Sequence, residues 1–173
     1  MHLIMAREAV DKHLQIAGAM VKPKATAGEK LRALPGILAF YGVWYPKQYV
    51  GPRGWFGFGE YGALAPHLRF VERHSRKAAR QIFHAMARYG PKLEKKQAFL
   101  FRWVDIALEL FAMTVVCARA NTWRAMNDPR ADEAQELADV FCRNARRRVA
   151  DLERALWQND DDANTALAAG LME

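Results

Sequence analysis

Hydrophobic residues recur every three or four positions along most of this chain, as they do in amphipathic helices. The pattern predicts one helix over residues 2–20 and three long helices over about 66–89, 92–126 and 131–157. No segment of any length alternates apolar and polar residues as a strand does. We therefore expect an all-α helical bundle, in which the three long helices and the first one share a core.

Two of the long helices carry most of the predicted core. The helix over 92–126 is apolar on nearly every side, which is typical of a central, buried helix. The helix over 131–157 is amphipathic, and the residues that we expect to face the core are Leu137, Val140, Phe141, Val149, Leu152 and Leu156.

Residues 35–62 differ in composition from the rest of the chain. They hold nine of the 19 aromatic residues, seven of the 11 glycines and three of the seven prolines. Such a density of helix breakers argues against a long helix, and so many aromatic residues argue against a solvated linker. We expect an aromatic, glycine-rich surface loop, so that the chain divides into a first helix (1–22), a linker with this loop (23–65) and a helical bundle (66–173).

The net charge of +7 is concentrated in one segment. Residues 66–96 hold nine Lys or Arg against two acids, whereas residues 97–173 hold nine Arg against 13 acids. A basic helix face can be a solvated surface, a contact with anionic lipid or a partner, or a nucleic-acid footprint. No helix-turn-helix, zinc or RNA-binding motif supports the last alternative, so we expect no nucleic-acid partner.

No constellation of residues indicates catalysis or metal binding. Asp105 and Glu109 lie four residues apart, but the Glu-x-x-His pairs of a dimetal bundle are absent and Arg102 is close enough to pair with Asp105. Cys117 and Cys142 lie in apolar helical segments, which favours reduced thiols and a cytoplasmic or matrix-like reducing compartment. No uncharged apolar run approaches the roughly 20 residues that a membrane span needs.

Three segments, taken in order, resemble the carboxyl-terminal portion of acyl-CoA dehydrogenases of the very-long-chain type. "LIMAREAVDKHLQIAG" is similar to the last helix of the dehydrogenase core in its Ala-Arg-Glu and Asp-Lys pairs. "QAFLFRWVDIALELFAMTVVCARANTW" and "ADVFCRNARRRV" resemble two consecutive helices of the second domain in that branch. The stretch 107–120 is the most specific part of the match.

The resemblance implies that the chain lies beyond the catalytic glutamate of the family, which removes the α-proton of an acyl-CoA before hydride transfer to FAD. We therefore expect no catalytic, cofactor-binding or metal-binding residue in this chain, FAD only in the parent enzyme, and no dehydrogenase turnover by the chain alone. The expected partners are the catalytic half of the dehydrogenase and a second copy in a homodimer. The alternative is a stand-alone helical bundle that binds lipid or a protein partner.

The aromatic loop and the basic segment suggest a membrane-facing surface. Trp and Tyr favour the interface between headgroups and acyl chains, and Lys and Arg favour anionic lipids. We hypothesise peripheral membrane contact or a partner surface through Trp44, Tyr45, Lys47, Arg53, Trp55, Phe56, Arg73, Arg76 and Lys77. The competing interpretation is that the aromatic residues pack on the bundle or on the catalytic half.

Overall fold

The computed structural model describes residues 2–21, 26–50 and 57–171, and within these ranges the chain is helical with no strand. The predicted all-α bundle is confirmed. Short 3-10 segments, Gly59–Leu64 and Gly90–Lys95, precede the third and fourth helices. The α-helices in these ranges are α1 (His2–Val21), α2 (Ala27–Lys47), α3 (Ala65–Tyr89), α4 (Gln97–Ala125), α5 (Ala131–Ala155) and α6 (Asp161–Gly170).

Helix α4 lies at the centre, and α1, α3 and α5 pack against it. Its inner positions are fully buried, and they meet apolar residues from one face of α3 and one face of α5. Burial of each large aliphatic side chain contributes about 1.5–3 kcal/mol to folding. The fully buried large residues of this core include Leu64, Ile82, Val104, Ile106, Met113, Val149 and Leu156.

Polar contacts join α4 to α3, α6 and α1. The indole Nε1 of Trp103 donates a 2.8 Å hydrogen bond to the carbonyl of Ala78 on α3. Arg102 does not pair with Asp105 as we predicted; its guanidinium donates to both carboxylate oxygens of Asp161 at 2.5 and 2.7 Å, which attaches α6 to the bundle. Asp105 lies 2.9 Å from Nε2 of His2 on α1.

Helix α2 corrects the prediction that residues 35–62 contain no long helix. It continues through Pro35 and ends at Lys47, with Pro46 in its last turn. A capping box at Thr26 starts it, because the Thr26 hydroxyl accepts from the backbone N–H of Glu29 while the Glu29 carboxylate accepts from the backbone N–H of Thr26. The inner face of α2 packs aromatic side chains on α1 and α3, and this burial offsets the hydrogen bond that Pro35 lacks.

The positive φ of Gly62, 54°, allows the chain to turn sharply before α3 begins. An added Cβ there would lie 2.6 Å from Nη1 of Arg124, whose other terminal nitrogen donates to the carbonyl of Glu60. This turn therefore holds the segment before α3 against the end of α4.

Candidate docking surfaces

The aromatic residues of α2 form a cluster with α1 and α3. Trp44 is half-buried, with its ring centroid 4.9 Å from that of His13 and 5.7 Å from that of Phe83. Tyr45 is also half-buried, and its hydroxyl lies 2.9 Å from Nε2 of His84. Burial raises the pKa of the Tyr41 hydroxyl in the same cluster. In the described part of the chain, these rings pack on the bundle.

The outer side of α2 is nevertheless apolar. Leu31, Leu38 and Val43 are 68%, 67% and 56% exposed, and Lys47 is exposed in the last turn. Three further residues of the hypothesised membrane surface, Arg53, Trp55 and Phe56, lie outside the described residues. The outer side of α2 is therefore a candidate contact surface that the sequence pattern did not single out.

The predicted basic residues of α3 have different roles. Arg76 donates a 2.7 Å hydrogen bond to Glu72, and both side chains are largely buried. Lys77 donates a 2.7 Å hydrogen bond to the buried carboxylate of Glu153 on α5. Arg73 is exposed to solvent. Two of the three predicted surface cations are therefore paired with carboxylates, Arg76 within α3 and Lys77 across to α5.

Glu153 is the centre of a buried ionic cluster between α3 and α5. Its side chain is 5% exposed and also accepts a 2.9 Å hydrogen bond from Nδ1 of His74. Burial acts to raise the pKa of Glu153, but the hydrogen bonds from His74 and Lys77 outweigh it and hold the pKa below its usual value. The His74 ring stacks on Phe70 at 3.7 Å, and the guanidinium of Arg146 lies 4.8 Å from the Phe70 ring centroid. Each oxygen of the Glu153 carboxylate thus accepts a hydrogen bond from α3, which joins α3 to α5.

Several large apolar side chains of α4 and α5 remain exposed in the described part of the chain. We call this set of side chains the outer face and define it by Leu108, Phe111 and Val115 of α4 and by Leu137 and Val140 of α5. Phe111 is 67% exposed and Leu137 is 63% exposed. The prediction that Leu137 and Val140 face the core is therefore wrong, as is the prediction that α4 is buried all round.

A groove of about 660 Å³ runs along the outer face between α4 and α5. Small residues, among them Ala120, Ala134 and Ala138, form part of its lining and bring the two helices close together. At one end, the guanidinium groups of Arg119 and Arg130 lie 4.9 and 4.5 Å from the ring centroid of Trp123. The lining is apolar along the middle and cationic at this end, which suits an amphipathic protein segment with acidic residues at one end.

A second groove, of about 360 Å³, lies between α3 and α4. Val71, Trp103, Ala107, Leu110 and Phe111 contribute to its lining. The sequence did contain a signal for the exposure of Phe111, since a helix that is apolar all round needs neighbours on every side, and α1, α3 and α5 leave Leu108, Phe111 and Val115 exposed.

Within the described residues, no group of three His, Cys, Asp or Glu side chains is placed to hold a metal ion. In those same ranges, no helix is long and apolar enough to cross a membrane.

Comparison with known proteins gives a consistent result. The sequence model described as "ACAD9/ACADV, C-terminal domain" matches residues 63–169. The whole chain is 47% identical to part of the probable acyl-CoA dehydrogenase FadE10 of Mycobacterium bovis, and equally to FadE10 of two Mycobacterium tuberculosis strains. The chain spans 27% of the length of these relatives. No solved structure matches the chain.

Proposed function

The chain belongs to the family of ACAD9/ACADV C-terminal domains, and on that premise we propose that it serves as the carboxyl-terminal helical domain of an acyl-CoA dehydrogenase. Its proposed role is to pack against the catalytic part of that enzyme and to support its assembly. The outer face of α4 and α5 is the observation that carries this proposal.

Exposed side chains as large as Phe111 and Leu137 support a protein contact at the outer face. A monomeric protein seldom leaves several large apolar side chains together in water, and such patches usually mark an interaction site. The part of each relative that lies outside the matched region is almost three times as long as the matched region itself. Such a polypeptide is long enough to cover the outer face. We therefore propose that the catalytic part of the parent enzyme covers the outer face.

We propose that this chain does not hold FAD itself. A flavin dinucleotide needs backbone N–H groups, commonly at a helix amino terminus, to bind its pyrophosphate. At the groove between α4 and α5, the turn that leads into α5 contains no glycine, and Asp132 and Glu133 occupy the first turn of that helix. We propose that FAD, the fatty acyl-CoA and the catalytic base of β-oxidation are held by the rest of the parent enzyme.

The test is a binding measurement with separated parts. The 173-residue chain is mixed with the M. tuberculosis relative truncated so that it lacks the matching region, and complex formation is followed by analytical ultracentrifugation and calorimetry. We expect a one-to-one complex that the Phe111→Ser/Val115→Ser double variant weakens at least tenfold. The matched control is Leu167→Ser, because Leu167 is 65% exposed but lies on α6.

Several outcomes would overturn the proposal. They are the absence of a complex, equal binding by the wild type and the double variant, and equal weakening by Leu167→Ser. The same ultracentrifugation run tests the homodimer, which we also propose from the family resemblance. Self-association of the chain that blocks complex formation would show that a second copy, rather than the catalytic part, covers the outer face.

Peripheral contact with a membrane is a second candidate role, and the exposed apolar side of α2 favours it. Leu38 and Val43 are available to insert between headgroups, whereas Trp44 is engaged with Phe83. We propose that Lys47, Arg73 and the residues Arg53, Trp55 and Phe56 add to this contact. Co-sedimentation with vesicles of anionic and of neutral lipid tests this role. The Leu38→Ser/Val43→Ser variant should lose binding, and binding by the variant equal to that of the wild type would contradict the role.

A further inference from the structure

The two cysteines of the chain meet at the interface between α4 and α5. Sγ of Cys117 lies 3.6 Å from Sγ of Cys142, and both side chains are completely buried. Both residues are free thiols, and the chain contains only these two cysteines. Buried alanines at 120, 138 and 145 keep the helices close at this level.

The hydrogen bond between the thiols makes them chemically unequal. Either thiol can donate this hydrogen bond; when Cys142 is the donor, the bond lowers the pKa of Cys117 against the opposing effect of burial. The same hydrogen bond, together with burial and the nearby charge of Asp139, raises the pKa of Cys142. Cys117 is therefore the sulfur that loses its proton first, and a thiolate is the form that attacks a disulfide or a peroxide.

We propose that Cys117 and Cys142 form a redox modification site, at which a disulfide joins α4 to α5. The sulfur atoms need to approach by about 1.5 Å to reach the bond length of about 2.05 Å. In this proposal, rotation of the two side chains about χ1 and a small approach of α4 and α5 close the remaining distance.

A glutathione-type disulfide is the oxidant class in this step. The Cys117 thiolate attacks one sulfur of the oxidant, so that a mixed disulfide forms and one glutathione thiolate leaves. The Cys142 sulfur then attacks Cys117, the new sulfur–sulfur bond forms, and the second glutathione thiolate leaves. The protons of the two cysteine thiols pass to the departing thiolates, the cysteines are oxidised by two electrons in total, and the oxidant is reduced by two.

The site lies directly beneath the groove of the outer face. Val116 and Phe141, the chain neighbours of the two cysteines, both line that groove. A disulfide would therefore fix the separation of the groove walls. The inference rests on the sulfur geometry, and it stands whether or not the outer face binds the catalytic part.

The experiment measures the redox equilibrium of the full chain. The protein is incubated in buffers with varied ratios of glutathione to glutathione disulfide, starting once from the reduced protein and once from the oxidised protein. Each series is run with and without urea sufficient to unfold the chain. Mass spectrometry of the acid-quenched, alkylated protein gives the fraction that carries an intramolecular disulfide, which can only join Cys117 and Cys142. Since each state is brought to equilibrium, slow access to buried thiols does not affect the result.

We expect the equilibrium constant for disulfide formation to be more than tenfold larger in the folded chain than in the unfolded chain. A ratio of tenfold or less would overturn the proposal, because the fold would then not favour the bond. Loss of helical circular dichroism on oxidation would overturn it as well, as would accumulation of glutathionylated protein in place of the disulfide. The Cys142→Ser variant is the control, and it should show no intramolecular disulfide at any buffer ratio.

Discussion

His74 on α3 and Glu153 on α5 are joined by a 2.9 Å hydrogen bond in the interior of the bundle, and Lys77 completes the contact from one helical turn further along α3. The carboxylate of Glu153 is almost fully removed from water. A buried charge is tolerated only when it is paired and hydrogen-bonded, so these two donors are what makes Glu153 compatible with the fold.

Glu153→Ala is therefore expected to destabilise the chain. The change leaves His74 and Lys77 facing a cavity without their acceptor, and we expect a loss of about 2 kcal/mol in the free energy of unfolding. Urea denaturation followed by circular dichroism measures it. Asp151→Ala is the matched control, because Asp151 is 70% exposed and its pair with Arg154 lies on the surface of the same helix. A loss no larger than that of the control would contradict the structural role of Glu153.

The same cluster predicts how stability depends on pH. Because the pKa of Glu153 is lower in the folded chain than in the unfolded chain, the carboxylate contributes stability above the ordinary carboxyl pKa of about 4.3. That contribution is lost as the pH falls from about 4.3 through the folded-state value. Urea midpoints between pH 7 and pH 3 should fall steeply at the acid end in the wild type and less steeply in Glu153→Gln, which cannot titrate. Parallel curves for the two proteins would exclude Glu153 as the source of the loss of stability at low pH.

Gly62→Ala is expected to cost about 1–2 kcal/mol, since a residue with a Cβ is strained at a positive φ. The added methyl group would also displace the guanidinium of Arg124. Gly42→Ala provides the comparison, because Gly42 lies in α2 with no atom near its added Cβ and should be neutral or slightly stabilising. Thermal melts of the two variants measure the difference, and equal melting temperatures would contradict the assigned turn.

The bounds of most helices could be predicted from the sequence, because α1, α3, α4 and α5 repeat their apolar residues at helical spacing over many turns. The prediction of a loop over 35–62 rests on Pro35 and the glycines, but two other signals in the sequence favour helix α2. One was the Thr26-x-x-Glu29 capping box, and the other was the helical spacing of Ile37, Tyr41 and Trp44. In α2, aromatic packing against Phe83 outweighs the low helix propensity of Pro35 and the glycines.

Contacts between distant residues could not be predicted from one sequence. Cys117 and Cys142 are 25 residues apart, and Arg102 and Asp161 are 59 apart, so their pairing depends on how the helices are arranged. Spacing alone predicts a pair between Arg102 and Asp105. Periodicity identifies the apolar sides of a helix, but it does not tell which side is covered by the same chain, and for this reason the prediction of an all-round buried α4 did not anticipate the exposure of Phe111.

The two sides of α4 should respond differently to truncation. Met113→Ala removes a fully buried side chain and is expected to cost about 2–5 kcal/mol. Phe111→Ala, two residues away and 67% exposed, is expected to change the free energy of unfolding of the isolated chain by less than about 1 kcal/mol. Urea denaturation of both variants is the measurement. A large loss for Phe111→Ala would show that the outer face is part of the chain's own core.

Carbene footprinting tests most directly whether another part of the enzyme covers the outer face. The isolated chain and its complex with the catalytic part of the M. tuberculosis relative are labelled, and modification is quantified at Phe111, Val115 and Leu137, with Leu167 on α6 as the internal reference. We predict that labelling of the three outer-face residues falls several-fold in the complex while that of Leu167 is unchanged. Equal labelling of the outer face in the isolated chain and in the complex would contradict the account.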